Sequence, residues 1–157
     1  MGSPMERVGI DLTGPWPKSN GKIFILTFID HFSKWADAVP IPNKEAETVA
    51  KALVTKILPI TGCMLQLLSD MGREFDNALM TSLCNLLGIH KLRTTPYKAS
   101  TNAVVERLFK SMNSMIAKCV DENQINWTDV LPHVMTAYRS AVHESKGYSP
   151  NYLVYGR

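Results

Sequence analysis

Apolar residues fall along this chain in two rhythms, and the switch between them divides it. Val8 to Leu12 is a short apolar run interrupted by Asp11, and GPWP at Gly14 to Pro17 stops it. Lys22 to Ile29, KIFILTFI, is aromatic, β-branched and nearly unbroken, the pattern of a strand buried on both faces. Asp30 to Ser33 turns the chain. Lys34 to Ile41 predicts a third strand, ended by Pro40 and Pro42. Short turns join the three, so an antiparallel meander is expected.

After Asn43, which can cap a helix, the period becomes helical. Val49, Ala50, Leu53, Val54 and Ile57 mark the first helix, with Pro59 and Gly62 ending it. Met64 to Leu68 reads as a short strand. Phe75, Leu79, Leu83, Leu86 and Leu87 mark a second helix closed by Gly88. Ile89 to Thr94 is a last short strand and Thr94 to Ser100 a loop. From Asn102 the longest helix puts Val105, Phe109, Met112, Ile116 and Cys119 on one face. A further helix from about Trp127 to Val142 turns Leu131, Val134 and Tyr138 inward, with Pro132 expected near its first turn. The order βββαβαβαα predicts an α/β fold, a mixed five-stranded sheet with helices on both faces. In such sheets ligands gather at the carboxyl ends of strands.

Composition narrows this only slightly. A chain of 157 residues suits one domain with a sizeable core. A net charge of +3 permits an acidic polymer as partner, but no run of five or more like charges suggests polybasic binding. Cys63, Cys84 and Cys119 lack CxxC spacing and read as thiols in a reducing compartment. None of His31, His90, His133 and His143 stands at zinc-finger spacing from a cysteine. No apolar run approaches the roughly 18 residues of a membrane span, and no signal peptide opens the chain. The opening MGSPM reads as a cloning remnant, leaving residues 6–157 as the domain. His31 and Trp35 read as structural.

Three acids break the pattern. Asp11 lies inside an apolar strand, where a carboxylate must be neutralised, hydrogen-bonded or bound to a cation. Asp70 follows the fourth strand. Glu106 lies beside the core stripe of the long helix, in one polar row with Asn102, Lys110 and Asn113. Taken singly, Asp70 is an ordinary turn former and Glu106 a solvated helix residue. Taken together, the strands of Asp11 and Asp70 can lie side by side in a right-handed crossover. The two carboxylates would then repel, and a divalent ion preferring hard oxygen ligands, Mg²⁺ or Mn²⁺, would remove that cost.

Fifty-eight residues separate Asp11 from Asp70, and thirty-five separate Asp70 from Glu106. This spacing resembles the catalytic triad of retroviral and retrotransposon integrases. The segments DHFSKWADAVPI, LLSDMGREF, LGIHKLRTTPY, TNAVVERLFKSM and SPNYLVYGR, in that order, resemble gypsy-class integrases and host genes derived from them. The resemblance runs from Val8 to Arg157 and implies a ribonuclease H-like fold. It also implies an isolated catalytic core, without the family's zinc-binding and carboxy-terminal DNA-binding domains.

The resemblance further implies a polynucleotidyl transferase. Asp11 and Asp70 would share one metal ion and Asp11 and Glu106 a second, for trimming the 3′ ends of element DNA and joining them to target DNA. Tyr97, Lys98, Ser100, Thr101, Asn102 and Lys110 would contact that DNA. A homodimer or higher multimer acting in the nucleus after cytoplasmic assembly is expected; any chromatin tether is left open. The chain departs from the family's YHPQTNG with YKASTNA, placing Lys98, Ala99, Ser100 and Ala103 at the altered positions. Alanine for glycine favours helix by up to about 1 kcal/mol and would stiffen a segment, Thr94 to Asn102, expected to be mobile without DNA. Two alternatives stand beside this reading. One is a ribonuclease H, against which the 35-residue gap argues. The other is a domesticated, weakly active or inactive integrase serving as a DNA-binding or protein-interaction module.

Overall fold

The computed structural model describes residues 2–94, 99–143 and 147–157, with 99–105 given by their backbone alone. Five strands, β1 (Arg7–Thr13), β2 (Phe24–Asp30), β3 (Ala36–Ile41), β4 (Gln66–Ser69) and β5 (His90–Arg93), form one sheet. Its spatial order is β3-β2-β1-β4-β5. The first three strands pair antiparallel, as the meander required, and β4 and β5 join in parallel. This is the predicted mixed five-stranded sheet.

All seven residues of β2 are buried, and their alternation builds two cores. Phe24, Leu26 and Phe28 join Val49, Leu53, Ile57, Met80 and Cys84 on one face, under α1 (Ala46–Ala52) and α3 (Ala78–Leu87). Ile25 and Ile29 join Met112, Ile116, Trp127, Leu131 and Met135 on the other, under α4 (Ala99–Glu122) and α5 (Trp127–Ser140). Met5, from the segment set aside as a remnant, packs against the first core.

Four local expectations need correction. Asn43 does not cap α1: its Oδ1 accepts from Glu45 N and Thr48 Oγ1, a turn two residues ahead of the helix. Pro59 does not end that helical region. A π-helical stretch (Leu53–Ile57) stops short of Pro59, which has no proton to donate, and α2 (Leu58–Thr61) carries on to Gly62; Val54, read as part of the apolar face, is exposed. In α3 the buried residues are Met80 and Cys84, while Leu79 and Leu86 face solvent and Phe75 enters the core ahead of the helix. Asn77 caps α3, accepting from Met80 N at 2.9 Å. Pro132 lies inside α5 beyond its first turn, where it has no N–H to donate to the carbonyl of Thr128. A short α6 (Pro150–Tyr155), capped by Ser149, was not anticipated.

The β3 edge of the sheet is closed against further pairing. Arg139 Nη1 donates to Ala36 O at 3.0 Å, Ala38 N donates to Asp37 Oδ1 at 2.8 Å, and Pro40 has no N–H.

Candidate active site

Period-two alternation puts Gly9 and Asp11 of β1 on the face opposite Val8 and Ile10, which enter the first core. That face looks towards α4, where an added Cβ on Gly9 would stand 3.2 Å from Phe109. β1 and β4 are parallel neighbours with Val8 opposite Leu67 and Gly9 opposite Leu68. Continuing that register two residues brings Asp11 beside Asp70, just past the end of β4. The expected adjacency of the two acid-bearing strands is therefore met.

Asp11, Asp70 and Glu106, from β1, the end of β4 and α4, line one cavity of about 360 Å³. Lys110 and Asn113, successive members of the polar row on α4, line it too. Asn113 Nδ2 donates to Asp11 Oδ2 at 3.3 Å. Burial pushes the Asp11 carboxyl above its ordinary range; Asn113 and the Leu12 backbone oppose this, while the charges of Asp70 and Glu74 add to it. Asp70 and Glu106 are exposed. Asp70 Oδ1 accepts from Gly72 N at 2.8 Å, which aims the carboxylate back over its own turn. Gly72 does not have positive φ, so freedom to turn is not its role. Space is: a Cβ there would stand 2.6 Å from Glu74 Oε1 and 2.9 Å from Asp70 Oδ1.

Sequence reasoning missed two residues. Glu74, four positions after Asp70, adds a further negative charge to the surroundings of Asp11; its only signal was that proximity. His31, read as structural, lines the same cavity. The turn before β3 holds it: buried Asp30 accepts from Ser33 N and Oγ, and His31 N donates to Arg7 O at 2.9 Å. His31 Nε2 is buried without a partner among the described residues. Its pKa is lowered to about 4 by burial, helped by the cations Lys34 and Arg7. Tyr97 and Lys98 lie outside the described residues, as do residues 95 and 96 of the segment expected to be mobile. Ser100, Thr101 and Asn102 fall within α4, which begins at Ala99 rather than Asn102, and their side chains are likewise outside the description.

The family model described as integrase core domain matches residues 3–99. The chain belongs to this family. Among its relatives, the retrovirus-related Pol polyprotein from transposon 412 of Drosophila melanogaster is 34% identical over 153 residues, 97% of this chain and 12% of that polyprotein. The integrase core thus spans a small part of such relatives. Among solved structures, the catalytic core domain of BIV integrase superposes with a TM-score of 0.74 at 24% identity, covering 96% of this chain and 93% of that one. The HTLV-2 integrase catalytic core domain in complex with magnesium, in a trimeric form, gives 0.74 at 15% identity, covering 98% and 99%. At these identities the likeness establishes the fold, which is ribonuclease H-like as anticipated.

In this integrase core the donor set suits a hard divalent cation. Three carboxylates line one cavity, and the charge on Asp11 is disfavoured by burial and by Asp70 and Glu74; a cation there would relieve all three costs. Among the described residues no three His, Cys, Asp or Glu side chains are gathered closely enough to hold an ion.

Proposed function

We propose that this chain is the catalytic core of an integrase that trims the 3′ ends of element DNA and joins them to target DNA. One observation carries the reading: Asp11, Asp70 and Glu106, from three elements far apart in sequence, line a single cavity. Asp11 and Asp70 would hold one Mg²⁺ or Mn²⁺ ion and Asp11 and Glu106 a second. A pair of such ions, when bound, stabilises the attacking and leaving oxygens of an in-line phosphoryl displacement. Asn113 holds Asp11 Oδ2 and keeps that carboxylate aimed into the cavity. Lys110, exposed at the rim, offers its ammonium to a backbone phosphate, with Tyr97, Lys98, Ser100, Thr101 and Asn102 as further DNA contacts. The active form would be a homodimer or higher multimer in the nucleus; an HTLV-2 relative is described as trimeric.

The test is a disintegration assay on branched DNA with Mn²⁺. Joining by the wild type, reduced at least about 10²-fold in Glu106→Gln, is expected. That variant should keep its stability within about 0.5 kcal/mol, since the position is exposed. Cleavage of only the RNA strand of a hybrid would reassign the chain as a ribonuclease H. Silence on every substrate would leave a DNA-binding or protein-interaction module.

A further inference from the structure

Behind Asp70 lies a second layer of polar contacts. Ser69, the last residue of β4, is 2% exposed and lines the active-site cavity. Its Oγ donates to Asp70 O at 3.0 Å and accepts from the ammonium of Lys91. Ser69 O in turn accepts from Thr94 N at 2.8 Å and from Thr94 Oγ1 at 3.3 Å. Every hydrogen-bonding group of Ser69 beyond the β4 ladder is therefore used to fix the chain at the point where Asp70 begins.

Lys91 comes from β5 and is half-buried, lining a separate groove with Phe75, Asp76 and Cys84 rather than the cavity itself. Burial lowers its pKa, opposed in part by Cys84, Asp76 and Asp70. Among the described residues it makes no ion pair. Its protons go to Ser69 Oγ and, at 3.3 Å, to Leu92 O. A desolvated ammonium is costly, and here it is directed at a neutral hydroxyl whose own proton goes to the main chain of an active-site acid. The chain of donors runs one way, ammonium to hydroxyl to carbonyl, so each bond polarises the next.

We propose that Lys91 is a positioning residue: acting through Ser69 Oγ, it fixes the main chain at Asp70 and thereby the direction of that carboxylate. The proposal rests on Asp70 being a metal-holding acid, as argued above. It assigns to β5 a part in the site that its sequence, HKLR, does not announce.

The experiment compares wild type with Lys91→Met, Lys91→Arg, Ser69→Ala and the double variant Lys91→Met/Ser69→Ala, all in the 157-residue chain. Mn²⁺ binding is read by paramagnetic resonance of the free ion, and joining of branched DNA as kcat and KM. Lys91→Met and Ser69→Ala should each weaken Mn²⁺ binding about 10–100-fold, the scale on which partners of ligand residues act. They should lower kcat with KM for DNA unchanged. The double variant should be no worse than either single one, and Lys91→Arg should restore most of the loss. Wild-type Mn²⁺ affinity in a Lys91→Met chain that merely melts earlier would overturn the proposal. So would tighter Mn²⁺ binding, which would mean that the lysine acts only by repelling the ion. If Lys91→Met fails to fold, Ser69→Ala, which keeps the cation, decides by the same readouts. If the wild type neither binds Mn²⁺ nor joins DNA, the reading of the site falls. Lys91 is then judged by the ¹³C resonances of the Asp70 carbonyl and side chain: movement in both single variants sustains it, and no movement sinks it.

Discussion

His31 offers a sharp test of how the cavity wall is built. Its Nε2 is buried beside Gly9 and Phe109, without an acceptor among the described residues, and its folded pKa is about 4 against 6.5 in the unfolded chain. Between those values the unfolded state binds the extra proton, so stability falls as pH falls. The contribution is complete above about pH 6.5, is lost progressively towards pH 4, and does not change further below that. For that pair of pKa values the loss at pH 5 works out to about 2 kcal/mol. In a chain of this size that corresponds to roughly 4–8 °C in Tm. His31→Phe keeps an aromatic ring beside Phe109 and removes the titration. Urea unfolding of both proteins at pH 8 and pH 5, without added metal, isolates the residue, because every other titrating group is shared. The wild type should lose about 2 kcal/mol more than the variant over that interval. An equal loss in both, or an NMR titration of the His31 ring centred near 6.5, would show that the ring is solvated and the packing argument wrong.

Asp11→Asn should raise stability by on the order of 0.5–2 kcal/mol at neutral pH while abolishing joining, because it removes a charge that burial and two neighbouring carboxylates oppose. The folded pKa of Asp11 is raised, so the wild-type penalty is absent below about pH 3.8 and grows as pH rises; melts in EDTA should show the advantage vanish near pH 3. Gly72→Ala should fold to within about 1 kcal/mol of wild type, since the long Glu74 side chain can swing aside, yet bind Mn²⁺ about 10-fold more weakly as Asp70 Oδ1 is displaced. Arg139→Ala should cost about 1–3 kcal/mol by urea unfolding. It removes the bond to Ala36 O, the 3.2 Å pair with Asp37 and the stack on Trp35. Light scattering should then report association through the uncovered β3 edge.

What the sequence made legible was whatever a single element decides. β2 could be read because a strand buried on both faces needs apolar residues at every position, and it has them. Asp11 stood out because its neighbours are core residues, and Lys110 and Asn113 because helix geometry stacks them with Glu106. Illegible features depend on two elements meeting. α3 carries leucines on both sides, so its apolar pattern could not say that Met80 and Cys84 point inward. The π-helical stretch from Leu53 to Ile57 leaves no composition signal. His31 looked structural because only the approach of α4 places Phe109 over Gly9 and makes that histidine part of the cavity wall.

The pairing of β1 with β4 also has a consequence for how the protein comes to exist. β1 meets β2 across a short connection, but meets β4 only after more than fifty residues have been looped between them. Closing such a loop is entropically late and slows folding. While a chain emerges and forms its first hairpin, Asp11 is therefore a lone solvated carboxylate at little cost. Its conflict with Asp70 arises only when the sheet closes around its centre, at the step that also creates the cavity. The docking of β4 on β1 is thus the event that both confronts the two carboxylates and completes the wall of the cavity they line.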